Sequence, residues 1–218
     1  FYNGRERYFE DYPVPQTEYR PLFLDAADCS LNEQPVSKKS EESYSALKSN
    51  KAQDSTFWDY IFGEATDLIG HIKLKLWVSA EGGDDLDLHV ALKKIDKHGN
   101  EVFFPDFQHV ERGLVASGWL RVSHRELDEE RSTIYQPWLK HERLLKLSPQ
   151  EVVSCEIEIL PSATGFLEGD KLRLIVQGYD VLNVFNRFKH EETVNRGQHI
   201  IYTGGQYDSH LLIPVVPL

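Results

Sequence analysis

Between residues 151 and 178 the side chains alternate in a way only an extended backbone can use. Val153, Cys155, Ile157 and Ile159 fall on one side, with Ser154, Glu156 and Glu158 on the other. Leu172, Leu174 and Val176 then alternate with Lys171, Arg173 and Gln177, Ile175 being the one exception. A period of two places each set on opposite faces of a β-strand, so each half reads as a strand with one buried and one wet face. Pro161, Gly165 and Glu168-Gly169-Asp170 separate the halves and predict a turn. If the two strands pair antiparallel, Glu156 and Glu158 sit opposite Lys171 and Arg173, worth a few tenths of a kcal/mol per pair, roughly.

The same design recurs. Ile72, Leu74, Leu76, Val78 and Ala80 alternate with His71, Lys73, Lys75, Trp77 and Ser79, and Leu86, Leu88, Val90 and Leu92 alternate with Asp87, His89, Ala91 and Lys93. Lys97-His98-Gly99-Asn100 is a tight-turn signature, which makes 86–104 a hairpin. Residues 114–122 form another strand, with Trp119 and Arg121 facing out; 199–203 and 211–216 close the chain. Residues 1–25 read as short edge strands, because Pro13 and Pro15 cannot join a central ladder. Three polar connections, 26–55, 124–148 and 179–197, lack alternation, and 26–55 reads as a long surface loop. No helix longer than two turns and no βαβ alternation is visible. The fold class that follows is all-β: an antiparallel two-sheet β-sandwich, a jelly roll, in one domain over 1–218.

Composition narrows the function. The net charge of −11 opposes a phosphate backbone, so nucleic acid is excluded as a partner. No apolar run reaches the length of a membrane span and no signal peptide is visible, which makes the cytoplasm the default compartment. Of the two cysteines, Cys155 lies on an inward strand face and Cys29 in a polar loop; both are expected as free thiols. The chain begins Phe1-Tyr2-Asn3-Gly4 and contains no methionine, and reads as the C-terminal piece of a longer protein.

Catalytic machinery is sparse. No nucleophile elbow G-x-S-x-G occurs. Ser123-His124 and Ser209-His210, placed on strands, point their side chains to opposite faces and cannot serve as nucleophile and base. Asp84, Asp85 and Asp87 cluster at a turn, but without the central glycine and closing glutamate of an EF-hand, so a solvated turn is preferred to calcium. The nine histidines make no zinc pattern with the cysteines. Neither a metal nor a cofactor is expected. Trp77 and Trp119 on outward strand positions, with Tyr135 and Trp138 in a long connection, form either a sugar platform or a surface covered by a loop or a neighbouring domain. The second reading is preferred, since three long connections are available to cover them.

Four stretches resemble one family, in its order along nearly the whole chain. They are Gly118-Trp119-Leu120-Arg121-Val122-Ser123-His124-Arg125; Gly70 to Val78 with the following Asp84-Asp85-Leu86-Asp87-Leu88; Phe166 to Leu174; and Gly204-Gly205-Gln206-Tyr207 with Ser209-His210-Leu211-Leu212-Ile213-Pro214. The family is the C-terminal domain of the X-Pro dipeptidyl-peptidase and CocE/NonD hydrolases. The resemblance implies a galactose-binding-like jelly roll. It also implies an α/β-hydrolase domain that precedes this chain and holds the Ser-His-Asp triad, in a parent that cleaves esters, amides or X-Pro peptides. The implied role here is non-catalytic: to pack on that domain, shape its cleft or build a homo-oligomer. The residues expected at the interdomain face are Trp119, Arg121, Tyr135, Trp138 and His141, since Trp and Arg favour the centre of a buried interface. The alternative is a free-standing carbohydrate-binding module.

Overall fold

A computed structural model describes residues 6–49, 53–104, 113–181 and 193–217. The strands are β1 (Glu18–Asp25), β2 (Ser30–Asn32), β3 (Ser40–Ser45), β4 (Ser55–Ile61), β5 (Thr66–Glu81), β6 (Asp87–Ile95), β7 (Glu101–Val102), β8 (Ala116–Arg121), β9 (Val153–Phe166), β10 (Lys171–Gln177), β11 (Gln198–Thr203) and β12 (His210–Val216). Among the described residues the one helical piece is a 3₁₀ turn, Val122–His124, and no helix is long and apolar enough to cross a membrane.

Strand pairing runs β3-β11-β5-β12-β1-β2-β4-β10-β6-β7, with β9 on the other edge of β5 and β8 on β6. One half of this path folds over the other, and the apolar faces meet between them as a β-sandwich. The halves are not two separate antiparallel sheets: the short β2 joins them, through an antiparallel ladder to β1 and one parallel bridge, Ser30↔Asp59, to β4. The inward sets of β5, β6, β9 and β10 supply the core, packed around Trp58 and Phe166, both essentially inaccessible.

Several local readings change once partners are known. The strands at 153–166 and 171–177 do not pair with each other. β9 joins β5, while β10 lies between β4 and β6, so the turn at 167–170 crosses from one half of the sandwich to the other. The outward charges find other partners: Lys73 Nζ lies 2.8 Å from Glu156, and Arg173 forms a two-pronged contact with Asp59, 2.7 Å on each prong. Pro161 does not end its strand. It lies where the β5–β9 register shifts, with Leu160 and Pro161 opposite His71, a bulge that asks for no ladder hydrogen bond from proline. Residues 18–25 are not an edge strand, since β1 lies between β12 and β2. The segment 26–55 is not a plain surface loop. It contains β2 and β3 and buries Leu31, Tyr44 and Ala46. Its large apolar residues come singly, which leaves no alternation to read. Within the third connection, Asn183, Asn186, Arg187, Lys189 and His190 lie outside the described residues.

Candidate interdomain face

The two halves pack closely at β8 and β9, which share no ladder. Gly118 makes this possible: a Cβ there would fall 2.1 Å from the Glu158 carbonyl oxygen. The next residue, Trp119, pairs with His89 of β6 and turns outward. It is 64% exposed. The β9 bulge brings Leu160 up beside it, and the 124–148 connection brings Trp138, 49% and 40% exposed respectively. Trp119 is thus a ridge between two grooves. One, of about 470 Å³, runs between Trp119 and Trp138 over Leu139 and Ile157. The other, of about 400 Å³, is lined by Trp119, Arg121, His124 and His141.

The 124–148 connection is fastened along its length. Gln136 donates to Glu158 at 2.9 Å, the Leu145 amide to the Ser123 carbonyl at 2.7 Å, and the Leu147 amide to the Asp84 carbonyl at 2.9 Å. Arg131 lies over the Trp138 ring, 4.0 Å from its centroid. A cation against an indole face is favourable and holds the ring in place.

Trp119, Arg121, Trp138 and His141 line these two grooves, and Tyr135 lies elsewhere. Tyr135 stacks on Tyr19 at 4.7 Å and lies against His71 at 5.7 Å, so its ring clamps the connection to β1 and β5. Trp77 also differs from an open sugar platform. It is half-buried, its indole donating to Asp208 at 2.8 Å and its ring tilted against Tyr207.

Arg121 is not a spare cation. Its guanidinium grips Asp87 at 2.7 and 3.1 Å. Burial alone would push the Asp87 carboxyl up; Arg121, with the Val194 amide and Thr193 hydroxyl, outweighs it and holds it below the usual carboxylate value. Asp85 is buried and accepts from the Leu86 and Ser123 amides and from Lys146. These carboxylates staple the 84–87 turn to its surroundings, with their oxygens directed at N–H and O–H donors.

The two serine–histidine pairs are placed differently. Ser123-His124 lies on the 3₁₀ turn rather than on a strand. The Ser209 hydroxyl donates to the Tyr202 carbonyl at 2.7 Å and accepts from the Trp77 amide at 3.0 Å. Cys155 is buried, and burial raises its thiol to about 12, which removes its thiolate chemistry at neutral pH.

Two features of the face carry no local sequence signal. The Nδ1 atoms of His124 and His141 meet at 3.1 Å. Asn195, wholly buried, accepts the Asp87 amide at 2.6 Å and donates to the Gly178, Asp87 and Ala46 carbonyls at 2.7, 3.1 and 3.3 Å. It fixes the start of β6, and with it the carboxylate that Arg121 grips.

Comparison with known proteins bears on what this face meets. The model of the X-Pro dipeptidyl-peptidase C-terminal non-catalytic domain matches residues 1–212. Two crystal structures of a CocE/NonD family hydrolase from Staphylococcus aureus are 48% identical, with TM-scores of 0.92 and 0.93 over 99% and 100% of this chain. This chain spans 40% of the length of that hydrolase. An aminopeptidase from a marine sediment archaeon, Thaumarchaeota archaeon, shares the fold at 14% identity and a TM-score of 0.70, over 99% of this chain and 39% of its own. So does an α-amino acid ester hydrolase, at 14% identity and a TM-score of 0.61, over 91% of this chain and 36% of its own. No curated protein sequence matches the chain.

Proposed function

This chain belongs to the family of X-Pro dipeptidyl-peptidase C-terminal non-catalytic domains, and we propose that it is the accessory domain of a CocE/NonD-type serine hydrolase, docked on an N-terminal α/β-hydrolase domain through the Trp119 ridge. The observation that carries this reading is the end-to-end match of this chain to only 40% of a hydrolase with which it shares 48% identity. The physical support for the docking face is its make-up. A large indole stands 64% exposed beside two further exposed apolar side chains. The guanidinium beside it, Arg121, is already neutralised by Asp87. An apolar centre with a satisfied polar rim fits the anatomy of a protein interface. The domain's task on this reading is to hold and wall the catalytic domain, whose ester, amide or X-Pro substrate is read by that domain.

The test is Trp119→Ala, made both in this 218-residue chain and in the full-length protein. In the chain alone an exposed side chain is lost, and stability stays within about 0.5 kcal/mol of the parent. In the full-length protein a central anchor is lost, worth roughly 2–4 kcal/mol of docking, read as faster proteolytic separation of the domains. Equal destabilisation of both proteins, or no effect on docking, overturns the reading. Glycan binding by the isolated chain that vanishes in Trp119→Ala would replace it with the sugar-module reading.

A further inference from the structure

His124 ends the 3₁₀ turn after β8, and His141 sits in the 124–148 connection. Their rings meet through the same nitrogen: Nδ1 to Nδ1 is 3.1 Å, with centroids 5.1 Å apart and planes inclined by 48°. With both imidazoles neutral, such a contact needs one Nδ1–H donating into the lone pair of the other Nδ1. With that proton carried on the same ring's Nε2 instead, both Nδ1 lone pairs are free to bind. Metal–imidazole bonds are about 2.0–2.1 Å long, so two nitrogens at this separation reach a single ion with a ligand–metal–ligand angle of roughly 100°. That lies between a right angle and the tetrahedral angle.

We propose that His124 and His141 form a two-imidazole site for a late first-row divalent metal ion, with copper(II) bound most tightly. The pair is held in advance. The Arg125 amide closes the 3₁₀ turn on the Val122 carbonyl at 3.1 Å, and the Leu145 amide ties the connection to Ser123. On the other side, the Lys140 amide donates to the Glu126 carbonyl at 2.9 Å, and Arg143 grips the Glu126 carboxylate at 2.7 and 2.8 Å. His141 itself has φ 55°, in the left-handed region, where histidine is several-fold enriched over most residues. Ligands fixed in this way lose little freedom on binding. Both histidines line the groove beside Trp119, on the face proposed to meet the catalytic domain. The groove's guanidinium, Arg121, is neutralised by Asp87 and does not repel a cation. Among the described residues no group of three or more His, Cys, Asp and Glu side chains is placed to hold an ion, so the protein supplies two ligands and water completes the shell. Neutral nitrogen ligands select copper, nickel and zinc over magnesium or calcium, and copper(II) heads the divalent affinity order.

The test uses the full-length protein titrated with copper(II) sulfate, with equilibrium dialysis for stoichiometry and electron paramagnetic resonance for the donor atoms. The wild type should hold one more copper per chain than His124→Ala or His141→Ala, with nitrogen ligation in its spectrum, and affinity at that site should fall at least tenfold in each. His141→Asn isolates the ligand from the fold, since asparagine accepts the left-handed backbone; it should lose the copper while keeping the metal-free melting temperature. His98→Ala, in the exposed 96–100 turn, should leave the count unchanged. A wild type that binds no copper at this site, or a His141→Asn protein that binds like the wild type, overturns the proposal.

Discussion

Replacing Asn195 by alanine removes one small, wholly buried side chain and should cost more than most core truncations. The amide bonds four backbone groups from three separate segments: the Asp87 amide and carbonyl, the Gly178 carbonyl and the Ala46 carbonyl. A carboxamide has two N–H donors, so the three carbonyls share two protons; Gly178 at 2.7 Å and Asp87 at 3.1 Å take the better share. Alanine leaves at least the Asp87 N–H and two carbonyls without these partners in a closed space. At about 1–2 kcal/mol for each stranded buried group, the lower part of the usual range because all three are neutral, the expected loss is roughly 3–6 kcal/mol. That is a large part of the roughly 5–15 kcal/mol that holds a typical domain together. For a chain of this size the melting temperature should fall by roughly 6–24 °C. Urea titration is the direct assay, with a lower midpoint at an unchanged slope. Asn195→Asp is the sharper variant: it keeps shape and acceptor, loses both donors and turns a charge towards three carbonyls, so it should be at least as damaging. If Asn195→Ala lies within about 1 kcal/mol of the wild type, the view of this residue as the knot between segments is wrong.

Other expectations follow from particular contacts. Gly118→Ala would put a methyl carbon 2.1 Å from the Glu158 carbonyl and force β8 and β9 apart; the cost is roughly 3 kcal/mol in a denaturation midpoint, and a fully stable variant refutes the tight seam. His199 is buried with Nδ1 on the Tyr44 hydroxyl at 3.0 Å, and burial, against the opposing charges of Asp87 and Asp85, lowers its pKa from 6.5 to about 4. The unfolded chain binds a proton here below pH 6.5 and the folded chain does not until about pH 4. Stability from this group is therefore complete above pH 6.5 and lost as pH falls to about 4, by roughly 3 kcal/mol. His199→Gln should flatten the stability profile across that window; an unchanged slope would refute the assignment.

Much of the architecture was legible because alternation is a local property of the chain. Ile72 to Ala80 and Leu86 to Leu92 place every second residue on one face whatever lies beside them, and all of these apolar positions are buried. Turn chemistry is local too: Asp96 accepts from the His98 and Asn100 amides within the turn predicted at 97–100. The four stretches that resemble one family added what periodicity lacks, the identity of the domain. Of the candidate face, Trp119, Arg121, Trp138 and His141 were legible as outward or loop residues of interface-favouring kinds.

Partner choice was not legible, since it depends on how apolar faces from the whole chain close over one another. The strands at 153–166 and 171–177 are neighbours in sequence and each looks like half a hairpin. Yet β9 satisfies its edge on β5, and the turn carries β10 across the sandwich to β4 and β6. The same closure turns Tyr135 onto Tyr19, sets Asn195 among three segments, and brings His124 to His141 from 17 residues away. By itself the sequence determined which side of each strand meets the core and which family the chain resembles. Only the tertiary structure decided which edges meet and what the outward side chains touch, because those contacts arise between segments with no local relation to one another.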